Sequence, residues 1–383
     1  MARTPSRRRF LESALGAASA AGLALPLKLA AAPLVADPDH RPTLERPERP
    51  LRLGIIGIGG RGSGLLRTFL QTRQVEVVAL CDIDSEAIQR GRAIAQGMTP
   101  KVYEDYRELL ADGAVEAVIT ATPVDLHHEM GIRTVRAGKH NYFEKPMGLS
   151  AREAEELYQA AAKADVVFQV GFQWVYNAAF RAAIEAVHEG LIGDVRFVHA
   201  QRHGAGDLPH KPWLMDRRRS GDIIVEQAVH EMNVFCWGLK GHPERAAGFG
   251  GINCLIDSPP GRSVMDHYAL TMEFPNETRV CYSHMFYATA PLDGMHIYFF
   301  GTRGAVDVMK GEIYLKSAPP PAPRPMRLSG DDTFNAALDF IEKVRRRQPP
   351  EADALKGLLA TKAAVLGRTA LYKGKPVLWK HIA

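Results

Sequence analysis

The apolar run Leu51–Ile56, followed at once by Gly57-x-Gly59-x-x-Gly62, constrains this chain more than any other feature, because few folds place three glycines at that spacing after a buried strand. In such a turn Gly57 allows the tight bend, Gly59, directly after Ile58, lets the backbone approach a pyrophosphate, and Gly62 lets the next helix pack on the strand. The helix N-terminus then meets the phosphates with free N–H groups. A second strand-like run, Val75–Cys81, ends in Asp82, about where a carboxylate is expected to accept hydrogen bonds from the adenosine ribose hydroxyls. Its charge would repel a 2′-phosphate, and Ile83 and Asp84 follow it in place of Arg or Lys. The expected ligand is NAD ahead of NADP.

The N-terminus reads as an export leader over residues 1–36. Ser6-Arg7-Arg8-Arg9-Phe10-Leu11 matches the twin-arginine consensus, with Glu12 where Lys is commoner, and an Ala/Gly/Leu-rich stretch follows. That stretch is short and interrupted by Pro26 and Lys28, so a stable membrane span is not expected. The expected partner is the twin-arginine machinery and the destination periplasmic or otherwise exported. Residues 37–50 read as a linker. Of the formal net charge of +5, five basic groups (Arg3, Arg7, Arg8, Arg9, Lys28) and one acid (Glu12) sit in the leader, which leaves +1 for the remainder. A nucleic-acid partner needs a concentrated basic field, and this chain lacks one. The four cysteines, Cys81, Cys236, Cys254 and Cys281, have neither zinc nor redox-dithiol spacing.

From Leu51 to about residue 172 strand-like and helix-like runs alternate, which predicts an α/β Rossmann domain with a doubly wound parallel sheet. Gly57, Asp82, Thr122, Lys145 and Gln173 each follow a strand-like run, so they should line one crevice at the strand carboxyl ends. Residues 173–383 predict an α+β domain with an open, mainly antiparallel sheet, whose closing helices could pack back on the Rossmann half. On its strand 195–203, His199, Gln201 and His203 share one face while Val198, Ala200 and Arg202 share the other. Pro275-Asn276-Glu277 predicts a hairpin turn, and 317–327, rich in proline, a loop. Two helices, Thr333 to Arg346 and Asp353 to Tyr372, should end the chain. The broad sheet offers a face for a homo-oligomer.

Gly57-x-Gly59-x-x-Gly62, Asp82, Thr120-Ala121-Thr122-Pro123 with His127, Glu144-Lys145-Pro146 and the helix containing His230 together resemble the glucose-fructose oxidoreductase, inositol dehydrogenase and MocA group (Gfo/Idh/MocA). The resemblance covers nearly all of the chain after the leader. It implies an NAD(P)-dependent oxidoreductase acting on CH–OH groups of a sugar or polyol, and cofactor contacts from the glycine turn, Asp82, Thr122, Pro123, His127, Glu144, Lys145 and Gln173. The substrate itself is not identified by it.

Lys145 suits catalysis because a buried ammonium beside a cationic nicotinamide should have a lowered pKa and exchange a proton with the substrate hydroxyl. Pro146 restricts the residue before it, and in the family this bond is often cis. Glu226, His230 and Asn233 have i, i+4, i+7 spacing and so should share one helix face. Where the family has Asp, this chain has Glu226, which lengthens the reach of the carboxylate. His230 is expected to hydrogen-bond the reacting hydroxyl, with Glu226 holding the substrate or orienting that histidine. A metal pair of Glu226 and His230, joined by His199 or His203, is less favoured, so no metal is expected. The substrate should lie over Gln173, Trp174, Tyr176 and Asn177, beneath Arg202, His203, His210 and Trp213.

An exported enzyme cannot recycle free nucleotide in the cytosol, so NAD should be tightly held and reset within each cycle. A redox-neutral glycoside hydrolase, lyase or epimerase using transient oxidation is the closest rival. A non-catalytic sugar-binding protein is the third reading; Lys145 and His230 both being present argues against it.

Overall fold

The computed structural model describes residues 34–36, 45, 47–205, 208, 211–255, 259–317, 319, 324–326 and 330–382. The leader up to residue 33, most of the linker, and His210 therefore lie outside the described residues.

In the first half, six strands form a parallel sheet: β2 (Leu51–Ile56), β3 (Val75–Cys81), β4 (Lys101–Tyr103), β5 (Ala117–Thr120), β6 (His140–Phe143) and β7 (Phe168–Val170), in the order β4-β3-β2-β5-β6-β7. β5 is buried along its whole length, as a parallel strand covered on both faces must be. Local signals set the flanking helices. The Asp84 side chain caps Ser85–Ile94, and Ser150 with Glu153 forms a reciprocal capping box at the start of Ala151–Lys163. The strand order reverses between β3-β2 and β5, and that is where such sheets open a crevice.

The second half carries an eight-stranded sheet with the order β14-β13-β12-β8-β11-β10-β9-β16. Its strands are β8 (Val195–His203), β9 (Arg245–Gly251), β10 (His267–Phe274), β11 (Thr278–Met285), β12 (Gly294–Gly301), β13 (Gly304–Asp307), β14 (Glu312–Leu315) and β16 (Val377–Leu378). The sheet is mixed: β8 and β11 run parallel at its centre, and the other pairs are antiparallel. The short strands β4, β14 and β16 gave no period long enough to read. Within the proline-rich segment read as a loop, β15 (Arg324–Met326) pairs in parallel with β1 (Leu34–Ala36), a pairing between distant segments that local sequence cannot announce.

Alternation along β8 divides the sheet into two faces. Val198 and Ala200 are fully buried on the inner face, with Val280, Tyr282, Leu270 and Phe299 of neighbouring strands. Phe197 and Phe300, which pair across β8 and β12, are each 41% exposed on the outer face.

The helix Ala354–Lys373 joins the halves. It is rich in Ala and Gly because it has close neighbours on both sides: a Cβ at Gly357 would lie near the Met147 Sδ of the Rossmann half, and one at Gly367 would lie 2.8 Å from Ile224 Cδ1 and 2.9 Å from Leu270 Cδ2. Thr361 accepts the Met147 N–H at 3.1 Å, which fixes the loop after Lys145. The preceding helix, Asp332–Arg346, places Phe340 edge-on against Phe69 and Tyr142, with centroids 6.0 and 5.8 Å apart. Both closing helices thus pack on the Rossmann domain. Among the described residues, no helix is long and apolar enough to cross a membrane.

Phe340 is fully buried against the Rossmann half. Phe340→Ala should lower the unfolding free energy by about 3–5 kcal/mol, the cost of a large buried ring and its residual cavity. Chemical denaturation followed by fluorescence would check this.

Candidate active site

The glycine turn has the strain and clearance that its sequence requires. Gly57 has φ +87°, and a Cβ there would meet the Ala121 carbonyl oxygen at 2.6 Å. Gly62 packs on the Gly57 carbonyl too closely for any side chain. At Gly59 and Gly60 the opposite holds, since nothing among the described residues lies within 4 Å of an added Cβ. Among the described residues no side chain caps the helix Gly60–Gln71, so its first-turn N–H groups stand at the edge of a cleft of about 630 Å³.

Asp82 enters this cleft from the end of β3. Its carboxylate also braces the turn, accepting the Ile58 N–H at 2.6 Å through Oδ2 and the Asp84 N–H at 3.0 Å through Oδ1. Ile58 itself is fully buried, so it serves the turn through its backbone. Arg90, which lines the same end, stands near Asp84 and Glu86, at 3.7 and 4.0 Å.

Thr122, Pro123, His127, Glu144, Lys145 and Gln173 also line the cleft. Two of them are committed within the protein. His127 is buried with its ring nitrogens 2.6 Å from the Pro146 carbonyl and 2.9 Å from the Thr122 carbonyl, tying the loop after β5 to that after β6. Burial holds its imidazole below the usual histidine range. Glu144 accepts from Arg61 Nε at 2.7 Å. Burial works against the Arg61 charge, but Glu144 outweighs it and the guanidinium pKa ends above its ordinary value. Arg61, inside the glycine motif, was missed in the sequence; its place beside a buried carboxylate could not be seen there.

Lys145 precedes a cis peptide bond to Pro146. Its Nζ donates to Glu226 Oε1 at 2.7 Å and to the Glu226 backbone carbonyl. That second contact corrects the expected single helix face. Glu226 ends one short helix, Ile223–Glu226, and His230 lies in the next, Val229–Gly238, with Gln227 and Ala228 between them. The His230 N–H bonds to the Gln227 carbonyl at 3.2 Å, so the Glu226 carbonyl, its partner in a continuous helix, is left for Lys145. Asn233 is buried and does not line the cleft.

His230 faces the cleft beside Lys145 and Glu226. Its ring packs on Trp174 and Phe172, with centroids 5.0 and 5.8 Å away, and its Nδ1 has no hydrogen-bond partner among the described residues. Burial, then Lys145, Arg202 and Arg61, hold its pKa well below the usual histidine value, so the ring is neutral near pH 7. The Arg202 guanidinium lies 5.5 Å from the Trp174 ring centre and donates to buried Glu231 at 2.7 Å, one layer behind His230. Lys211, Trp213 and Arg219 reach the cleft from the segment after β8, and Arg219 Nε donates to Asp125 Oδ2 at 2.9 Å.

Besides Asn233, the expected substrate contacts Trp174 and Arg202 do not line the cleft, and three more lie elsewhere. Tyr176 is buried, its hydroxyl donating to Asp339 at 2.8 Å, because the 3₁₀ turn Gln173–Tyr176 rotates it away from Gln173. Asn177 caps the helix Ala178–His188, its side chain accepting the Ala179 N–H at 2.9 Å. His203 is on the outer sheet face, 2.9 Å from Ser283 Oγ, and His199 pairs there with His296 at 3.3 Å. Neither histidine can join Glu226 and His230 around a metal.

The segment 51–172 matches the description "Oxidoreductase family, NAD-binding Rossmann fold", and 180–307 matches "GFO/IDH/MocA C-terminal domain". The chain belongs to the GFO/IDH/MocA family. An inositol 2-dehydrogenase/D-chiro-inositol 3-dehydrogenase of Lactiplantibacillus plantarum is 32% identical over 188 residues, which are 49% of this chain and 51% of that one. A 2,7-anhydro-N-acetylneuraminate hydratase of Mediterraneibacter gnavus is 29% identical over 198 residues, 51% of each. With these two, the match spans about half the length of the curated relative. A levoglucosan dehydrogenase solved with NADH and levoglucosan shares the fold at a TM-score of 0.74 and 18% identity, over 86% of this chain and 99% of that one. The Rossmann half is an NAD-binding domain, and the open cradle at Gly59 and Gly60, the uncapped helix and the Asp82 carboxylate fit that cofactor.

Because His230 takes a proton less readily in the folded chain than in the unfolded one, its contribution favours folding less as pH falls through about 6.5. His230→Asn should therefore gain stability relative to the parent between pH 7.5 and pH 5. Paired denaturant titrations at the two pH values would show a gap that moves in the variant's favour.

Proposed function

We propose that this protein is an exported NAD-dependent oxidoreductase of a sugar, polyol or glycoside that keeps its cofactor between turnovers. The observation that carries the reading is the neutral imidazole of His230, lining the cleft beside Lys145 and Glu226. NAD, when bound, supplies the hydride acceptor at its nicotinamide ring. A lysine ammonium has three N–H donors; two go to Glu226, and the third remains for the substrate oxygen. His230 is placed to take the proton of the substrate hydroxyl, the proton that oxidation to a carbonyl would release. Trp174 supports the His230 ring, and Trp213 with Gln173 gives the substrate an apolar wall and a polar edge.

Export rests on the Ser6–Leu11 motif, and cofactor retention follows from export. The likeness to a hydratase favours a second reading, in which the same two residues oxidise a carbon transiently, an adjacent bond breaks, and the hydride returns. Self-association across the outer face of the second sheet is supported by Phe197, Phe300 and Phe249, the last 74% exposed.

Incubation with a panel of polyols and glycosides distinguishes the readings. Net NADH formation supports oxidation, and bond cleavage without it supports the redox-neutral cycle. In either case Lys145→Met and His230→Asn should each lower kcat by about 10²–10⁴-fold, with NADH binding, read by fluorescence, retained. Full turnover in both variants would remove these residues from the chemistry.

A further inference from the structure

We infer that Asp222 is a positioning residue for the Lys145–Glu226 pair, an assignment that rests on the proposed function only for its effect on turnover. Asp222 has φ +73° and ψ 163°, a backbone region that is nearly confined to glycine, and it directly follows Gly221 at φ +77°. A side chain there is disfavoured unless its surroundings hold it in place. It is fully buried, and its carboxylate draws three segments together. Oδ1 accepts the Ile223 N–H at 2.6 Å, while Oδ2 accepts the Met265 N–H at 3.1 Å and the Tyr372 hydroxyl. Arg368, one turn before Tyr372 on the joining helix, donates to the Gly221 carbonyl at 3.4 Å.

The same residue holds Glu226 through its backbone. The Asp222 carbonyl accepts the Glu226 N–H at 3.0 Å and the Val225 N–H at 3.0 Å. Ile223–Glu226 is only four residues long and cannot fix its own direction, so its aim comes from its ends. At one end stands the Asp222 clamp. At the other, the chain breaks from helical pairing and leaves the Glu226 carbonyl to Lys145. Glycine would satisfy the backbone at position 222 without strain. The presence of aspartate there is explained by the carboxylate, which ties the helix carrying Glu226 to the end of the joining helix and to the segment before β10.

The test reads Lys145 directly. Reductive dimethylation of the full-length protein, with site-by-site mass spectrometry, should label Lys145 slowly in the parent, where its side chain is 12% exposed and held by Glu226. Asp222→Gly, which the backbone accepts, should raise that rate at least fivefold relative to exposed Lys101. Tyr372→Phe, which removes one donor from the clamp and leaves the backbone alone, should raise it by a smaller factor. In the double variant the Tyr372→Phe increment should vanish, because the hydroxyl acts through a carboxylate that is gone. Where a substrate is in hand, Asp222→Gly should lower kcat more than it raises KM.

Lys145 labelling that stays at the parent rate in Asp222→Gly, with NADH still bound, overturns the assignment whatever the turnover. Should that variant fail to fold, an unchanged rate in Tyr372→Phe overturns it equally. Failure of the proposed function would appear separately, as a parent protein without turnover whose Lys145 labelling still follows the pattern above.

Discussion

The contact between Lys145 and Glu226 is the constraint on which the rest of the site depends. The lysine follows β6 of the Rossmann half, and the glutamate ends a short helix of the other half. Both side chains are mostly buried, so separating them would leave a charge without its partner in a poorly hydrated place, a cost of about 3–5 kcal/mol for fully buried pairs. The interaction therefore sets where the second half stands relative to the cofactor cleft. His230, four residues after Glu226, is placed at the same time.

Much of the first half was legible because its signals are local. The strand carboxyl ends carry Gly57, Asp82, Thr122 and Lys145, and in a parallel sheet those ends converge without any knowledge of tertiary contacts. The errors arose where a distant contact overrode a local pattern. Glu226, His230 and Asn233 have a faultless helical period, and neither Gly nor Pro marks the break between Ile223–Glu226 and Val229–Gly238. The Glu226 carbonyl freed at that break meets an ammonium 81 residues away. Tyr176 and Asn177 follow the same strand end as Gln173, yet the 3₁₀ turn sends Tyr176 to Asp339 and makes Asn177 a helix cap. His203 was placed correctly on its strand face, but nothing in the alternation says which face meets the cleft. The parallel β8–β11 pair was likewise beyond reach, since strand direction depends on connections that skip neighbours.

The joining helix Ala354–Lys373 explains why the halves behave as one body around the cleft. Gly357 faces Met147 on one side and Gly367 faces Ile224 and Leu270 on the other, so the helix serves two cores at once. Through Thr361 it reaches the loop that carries Lys145, and through Tyr372 it reaches the segment that carries Glu226. Both partners of the central contact are thus referred to a single rigid rod.

The carbonyl that Glu226 offers to Lys145 belongs to the main chain, and main-chain atoms are indifferent to the genetic code. A lineage can exchange the acid at this position, shortening or lengthening its reach, while the amine keeps one anchor throughout. Reaction outcome can then drift by altering what the free side chain does to a ligand, with the ammonium's position unchanged.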